Sequence, residues 1–379
     1  MPSSPPPVFS AYPLEDYRRH KQAIDESLAR MLEHGHYILG GEVTAFEQEF
    51  AAYTNTRHCT GVANGTDAIE VILRALNIGQ GCKVALPSHT AVASASGIAR
   101  AGASPVFVDI DLESRTLCPL ALESLLSSPL GQDVKAVLAV HLYGHPCDMA
   151  SLQTVADKHG VILLEDCAQA HGATFQGRAV GSLARAAAFS FYPTKNLGAI
   201  GDGGGITTDD SALADQINVI RQYGWKERYI SACEGVNSRL DEMQAALLRV
   251  KLRTLPASIL QRRKLAALYH ELLADSAVVT TPSCKTGCEH AYHLYVVRSS
   301  YRDALMKYLL GRGVPVALHY PAAIHQQTGY FPVTAQSPPL PNTDTLVKEI
   351  LTLPLHPHLS EDAVRFTCKA IHDFGHQAV

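Results

Sequence analysis

From about residue 58 the chain settles into a rhythm of short β-branched runs, each followed by a stretch with helical spacing. Strands are expected at residues 58–63, 83–86, 104–108, 136–142, 161–165, 186–191 and 205–208. Between them, residues 67–76 gather Ile69, Ile72, Leu73 and Leu76 on one helical face, and residues 149–158 read as a second helix. This alternation leaves few choices: parallel strands joined by helical crossovers, an α/β domain with a mostly parallel sheet between helix layers. Sheets of that kind take their ligands in the loops at the carboxyl ends of the strands, so residues with useful chemistry are sought there.

A chain of 379 residues outgrows the roughly 250–300 at which a single core stops enlarging, so a second domain is expected. The large domain is assigned to residues 1–256, with a helix over 14–31 following a Pro-rich start. Ser238 and Asp241 resemble a capping box that opens the helix LDEMQAALLRVKL, which ends before Pro256. A smaller α+β domain follows over 257–379, built from a helix over 258–273, the strand-like AYHLYVVR, a further helix, VPVALHYP and a Pro-rich loop at 332–341.

Bulk properties remove several functions. With 46% apolar residues, 18% charged residues and a net charge of -4, the chain lacks the basic excess of a nucleic-acid binder. The N-terminus has no signal-like apolar region, and no stretch approaches the roughly 18 apolar residues of a membrane span, so a cytoplasmic protein is expected. Its nine cysteines are scattered, which suits free thiols in a reducing compartment and leaves the Asn64-Gly65-Thr66 sequon without a glycan.

The stretch SFYPTKNLGAIGDGG, residues 190–204, sets one lysine between an aromatic run and a glycine-rich loop. Lys195 there is a phosphate ligand, a covalent catalyst or a surface residue. A phosphate loop needs Gly-Lys, which occurs nowhere, and glycines 198, 201, 203, 204 and 205 do not spell a dinucleotide fingerprint. A better anion site is Asn64-Gly65-Thr66-Asp67, where a strand runs into a helix N-terminus, although an ordinary N-cap turn has the same form. A covalent lysine requires desolvation, which Ser190–Pro193 supplies, and a cofactor partner. Asp166, at the end of the apolar run VILLED, is placed to pair with a pyridine nitrogen, although a helix cap or turn would explain it equally well. Taken jointly, lysine, carboxylate and phosphate turn, each in a loop after a strand of one sheet, favour pyridoxal phosphate (PLP).

The stretches GVANGTDAIEVILRAL, LPSHTAVASASGIARAGASPVFVDID, VHLYGHPCDM, LLEDCAQAHGA, SFYPTKNLGAIGDGG, NSRLDEMQAALLRVKL and HYPAAIHQQTGY resemble the PLP-dependent nucleotide-sugar aminotransferases of the DegT/StrS group. The resemblance implies the aspartate-aminotransferase (type I) fold. It implies that Lys195 forms the Schiff base, Asp166 meets the pyridine nitrogen and Gln169 lies near the phenolic oxygen. Gly65, Thr66 and Ser190 would hold the phosphate, with Asn237 reaching across from a second subunit of a homodimer. Where relatives often stack an aromatic residue on the cofactor ring this chain has Ala91, so either His89 takes that role or the ring packs on aliphatic atoms. His319, Tyr320 and His325 are assigned to the sugar pocket.

The implied reaction moves nitrogen from L-glutamate to a nucleotide-linked keto-deoxysugar, with Lys-Asn-Leu-Gly leaning towards a 3-keto over a 4-keto substrate. A sugar dehydratase using the amine form of the cofactor shares the scaffold but carries histidine in place of Lys195. A non-catalytic PLP-binding regulator is the other alternative. Cys284, Cys288, His290 and His293 have zinc-like spacing, but they sit close together around one strand, where structural sites draw ligands from separated segments, so no metal is expected. Trp225, the only tryptophan, is read as a packing residue.

Overall fold

The computed structural model describes residues 8, 11–330 and 337–378; most of the Pro-rich start and part of the 332–341 loop lie outside the described residues. Nine strands lie between residues 58 and 208: β1 (His58–Val62), β2 (Lys83–Pro87), β3 (Ser104–Val108), β4 (Val134–Val140), β5 (Ile162–Asp166), β6 (Thr174–Phe175), β7 (Arg178–Ala179), β8 (Ala187–Ser190) and β9 (Gly204–Thr208). Seven form the central sheet in the order β1-β9-β8-β5-β4-β2-β3. All run parallel except β9, which pairs antiparallel with both β1 and β8. The expected strands are therefore present, with ends displaced by up to two residues.

Burial on both faces explains why the inner strands, such as β4 and β5, read as nearly continuous apolar runs. In β4, Ala136, Leu138 and Val140 face one core while Val137 and Ala139 face the other. The first core is covered by helices Gly65–Ala75 and Val92–Arg100, the second by Pro119–Leu126 and Met149–His159. A third apolar cluster sets Phe46 and Phe50, from helix Gly41–Thr54, against Phe189 and Phe191. The ring of Phe50 meets both edge-on, at 4.9 and 5.3 Å, and this anchors the aromatic half of the SFYPTKNLG stretch beneath the loop that carries Lys195.

Beyond residue 255 a separate cluster forms. Helices Leu255–Leu273, Arg302–Gly311 and Glu361–Ala378 pack on the antiparallel pair Tyr295–Arg298 and Ile350–Leu353. Two expectations need correction here. AYHLYVVR is strand only from Tyr295, because Ala291 and Leu294 donate their N–H groups to the carbonyls of Gly144 and Tyr143. The helix expected to end before Pro256 does so, spanning Glu242–Leu252, but the next helix begins at Leu255, ahead of the expected 258, with Pro256 in its first turn, where its missing N–H costs nothing.

The capping box is also absent: the helix cap is Asp241, without a side-chain bond, and the Ser238 hydroxyl turns to Asp67. The acid that does cap is Glu242, whose buried carboxylate accepts the N–H groups of Gly40, Glu42 and Val43 at 2.7, 3.0 and 2.9 Å, closing the N-terminus of helix Gly41–Thr54. Glu242→Ala strands three donors, two of them buried, and is expected to cost about 3 kcal/mol, read as a lower urea midpoint with an unchanged slope.

Candidate active site

The carboxyl ends of β1, β4, β5 and β8, with the amino end of the reversed β9, surround one cavity of about 350 Å³. Its floor at β1 is the start of helix Gly65–Ala75. Asn64 caps this helix by accepting the Asp67 N–H at 2.8 Å, which leaves the N–H groups of Gly65 and Thr66 without helical partners at the cavity wall. Glycine is required at 65: a Cβ there would lie 2.8 Å from the Cβ of Ser190. The same crowding holds at Gly204, where a Cβ would fall 2.4 Å from the carbonyl of Asn64. Two glycines thus bring a helix N-terminus and the Ser190 end of β8 together as an anion cup.

Lys195 follows β8 on a tight loop closed by Lys195 N–H to Tyr192 O at 2.8 Å and Ala199 N–H to Phe191 O at 2.7 Å. It lines the cavity, and desolvation lowers its ammonium to about 8, with Asp166 pulling the other way. Asp166 ends β5 and is buried; its carboxylate accepts the Ser94 hydroxyl at 2.7 Å and the Ala168 N–H at 3.1 Å. Gln169, one turn on, accepts the Tyr143 N–H at 2.7 Å and donates to the Tyr320 hydroxyl at 2.9 Å. Tyr143 in turn donates to the His319 carbonyl, so these bonds tie the loop after β4 to the segment bearing His319 and Tyr320, both of which line the cavity.

Of the residues expected at a cofactor or substrate, Gly65, Thr66, Asp166, Gln169, Ser190, Lys195, His319 and Tyr320 meet in this cavity. His89 does not line it. The ring is fully buried, hydrogen-bonded to the Tyr143 hydroxyl at 2.6 Å and held neutral by desolvation, its ordinary value lowered to about 3, so the wall here is Thr90, Ala91, Ala93 and Ser94. His325 also stands apart from the cavity lining, held between the Ser88 hydroxyl at 2.8 Å and Asp344 at 3.0 Å. Asn237 is exposed and does not line the cavity within its own chain.

Ser94, Tyr143 and His293 are additions: Ser94 and His293 line the cavity, and burial followed by the charge of Lys195 holds His293 well below the usual imidazole range. Nothing local in the sequence marks them for this cavity, His293 having stood out only for its zinc-like spacing, since each is placed by packing between distant segments.

The zinc-like residues do not converge. His290 stacks on Tyr292 at 4.0 Å, while His293 turns to the cavity. Among the described residues the trio close enough to share an ion is His141, Glu165 and Cys167, where Glu165 already accepts three backbone N–H groups and His141. Trp225 packs against Tyr223 and Tyr229 at 5.0 and 5.2 Å.

The donor set suits PLP: an anion cup built from backbone N–H groups, a desolvated lysine and a buried carboxylate share one cavity. Fold and site together define a PLP-dependent aminotransferase of the aspartate-aminotransferase fold. The sequence profile of the DegT/DnrJ/EryC1/StrS aminotransferase family matches residues 18–372, and the chain belongs to that family. It is 44% identical to the erythromycin biosynthesis sensory transduction protein EryC1 of Saccharopolyspora erythraea, covering 92% of this chain and 94% of the relative. It is 42% identical to a dTDP-3-amino-3,4,6-trideoxy-alpha-D-glucose transaminase of Streptomyces venezuelae, covering 92% and 93%. The crystal structure of S. venezuelae DesV in complex with a ketimine intermediate superposes with a TM-score of 0.93 at 40% identity, covering 98% of this chain and 99% of that one. Among the described residues no helix is long and apolar enough to cross a membrane.

Proposed function

We propose that the protein is a cytoplasmic homodimer that transfers the amino group of L-glutamate to a 3-keto-deoxysugar linked to dTDP or UDP. The observation that carries this reading is the meeting of Lys195, Asp166 and the Gly65–Thr66–Ser190 cup in one cavity, with His319 and Tyr320 on its far wall. Bound PLP supplies an electron sink for the charge left when a proton leaves the carbon that carries nitrogen. Lys195 attacks as the neutral amine and, once free, moves that proton. Asp166 would hold the pyridine nitrogen, Gln169 would meet the phenolic oxygen, and Gly65, Thr66 and Ser190 would hold the phosphate. Asn237, exposed on its own chain, completes the phosphate site of the partner subunit. Ala91 and its neighbours would form the wall beside the ring. The large unit spans residues 1–256 and the small unit 257–379, in line with the separate apolar cluster beyond residue 255.

The 3-keto preference is supported by the name of the S. venezuelae transaminase, and the Lys-Asn-Leu-Gly form agrees with it. Lysine at 195 speaks against a dehydratase. The name of the S. erythraea relative suits a regulator, but the complete lysine and carboxylate pair supports turnover.

The test is spectroscopic. L-Glutamate is expected to bleach the visible band of the purified holoenzyme, and a 3-keto sugar nucleotide to restore it faster than its 4-keto isomer. A band that glutamate leaves untouched rules out this donor, and preferential recovery with the 4-keto isomer reverses the regiochemistry.

A further inference from the structure

Ser238, read from sequence as half of a capping box, is fully buried and serves another purpose. Its hydroxyl donates to Asp67 Oδ2 at 2.7 Å and accepts the N–H of Ala63 at 3.0 Å, so it sits under the turn that leads into the anion cup. Asp67 is the residue whose N–H is capped by Asn64, and its second oxygen is held by Arg100 at 2.8 Å. On the other side, the Ser238 N–H donates to Arg221 O at 2.9 Å and the Val236 N–H to Ile220 O at 2.8 Å. Asn237, between these two ties, is exposed.

From this geometry we infer that Ser238 and Asp67 are positioning residues that join each subunit's own anion cup to the asparagine it lends to its partner. The inference rests on the dimeric reading given under the proposed function. One buried hydroxyl then carries information both ways: ordering of the Asn64–Asp67 turn by a bound phosphate stiffens the 236–238 segment, which sets Asn237 for the neighbouring cup. The two sites of a dimer should take up cofactor cooperatively through this joint.

Differently tagged subunits test it, with PLP fixed by borohydride as the readout of occupancy. In one heterodimer a single subunit carries both Ser238→Ala and Lys195→Ala, and its partner is unaltered. The only lysine able to fix PLP then sits in a subunit whose own Ser238 is intact, and receives Asn237 from the altered one. The PLP concentration at half-occupancy is expected to rise roughly tenfold over a heterodimer with Lys195→Ala alone, the size for a lost hydrogen bond to a charged group. An unchanged value overturns the inference, because a purely local role for Ser238 cannot reach the other subunit's lysine.

Asp67→Asn in the same arrangement, which keeps the shape of the side chain, is expected to show the same defect and carries the test if the alanine variant does not fold. Asn237→Ala in that arrangement separates the two levels. If it lowers affinity and both Ser238→Ala and Asp67→Asn are silent, only the joint is wrong. If it too is silent, the shared-site reading fails and takes the joint with it.

Discussion

Lys195→Ala should lose roughly 10⁴-fold or more in kcat and should no longer fix PLP on borohydride reduction, because in the proposed reaction one side chain provides both the covalent attachment and the proton transfer. The fold should survive, and the variant gives a second readout. In the folded apoprotein the amine releases its proton near 8, whereas a solvated lysine does so near 10.5. Between those values the unfolded chain holds a proton that the folded chain has released, so the contribution of this group to stability rises with pH across that window. The wild-type apoprotein should show that rise in denaturant titrations, and the alanine variant should lack it. The rate at which apoprotein captures PLP should climb through about pH 8 in the wild type, since only the neutral amine attacks. A capture rate that keeps climbing towards pH 10.5 would show a solvated lysine and remove the physical basis for its role.

How much of this was legible in the sequence depended on whether the signal was local. The inner strands of the sheet announced themselves because burial on both faces makes them short apolar runs, and the ends of the seven strands moved by at most two residues. That Gly65, Thr66, Asp166 and Lys195 share one cavity was legible because each stands at or just after the end of a strand of one sheet. Ser94 was not, because its bond to Asp166 spans seventy-two residues of chain and nothing in AVASAS distinguishes one serine from the other. Tyr143 was missed for the same reason: its backbone and hydroxyl serve Gln169 and His319, which only the folded arrangement brings near.

Two misreadings have one cause. Ser238 and Asp241 have the spacing of a capping box, and His89 has the ring that a stacking position needs. Ser238 was assigned by spacing and His89 was one of two alternatives that the resemblance left open; each was claimed by a distant partner, Asp67 for Ser238 and Tyr143 for His89. Glu242, by contrast, looks like an ordinary helical glutamate yet closes the end of a helix two hundred residues earlier.

Asp166→Ala is the second large effect, and its size follows from what the carboxylate faces. Ser94 and the Ala168 N–H hold its two oxygens at 2.7 and 3.1 Å, so it is oriented before any ligand arrives. A carboxylate fixed in this way keeps a pyridine nitrogen protonated without reorganising during the reaction, and loss of such preorganised stabilisation costs roughly 10²–10³ in rate, about 3–4 kcal/mol. With PLP saturating, kcat should fall by that factor while the borohydride-fixed cofactor remains near one per subunit, since Lys195 is untouched. Ser94→Ala removes only the orienting hydroxyl and should cost about tenfold, within the range for one hydrogen bond to a charged group. If Asp166→Ala leaves kcat unchanged, the carboxylate does not face the pyridine nitrogen. If Ser94→Ala equals Asp166→Ala in effect, orientation rather than charge carries the contribution. The order expected from the geometry is Lys195 first, Asp166 second and Ser94 a distant third, because on the proposed reading only the first two would touch the cofactor and the third acts through the second.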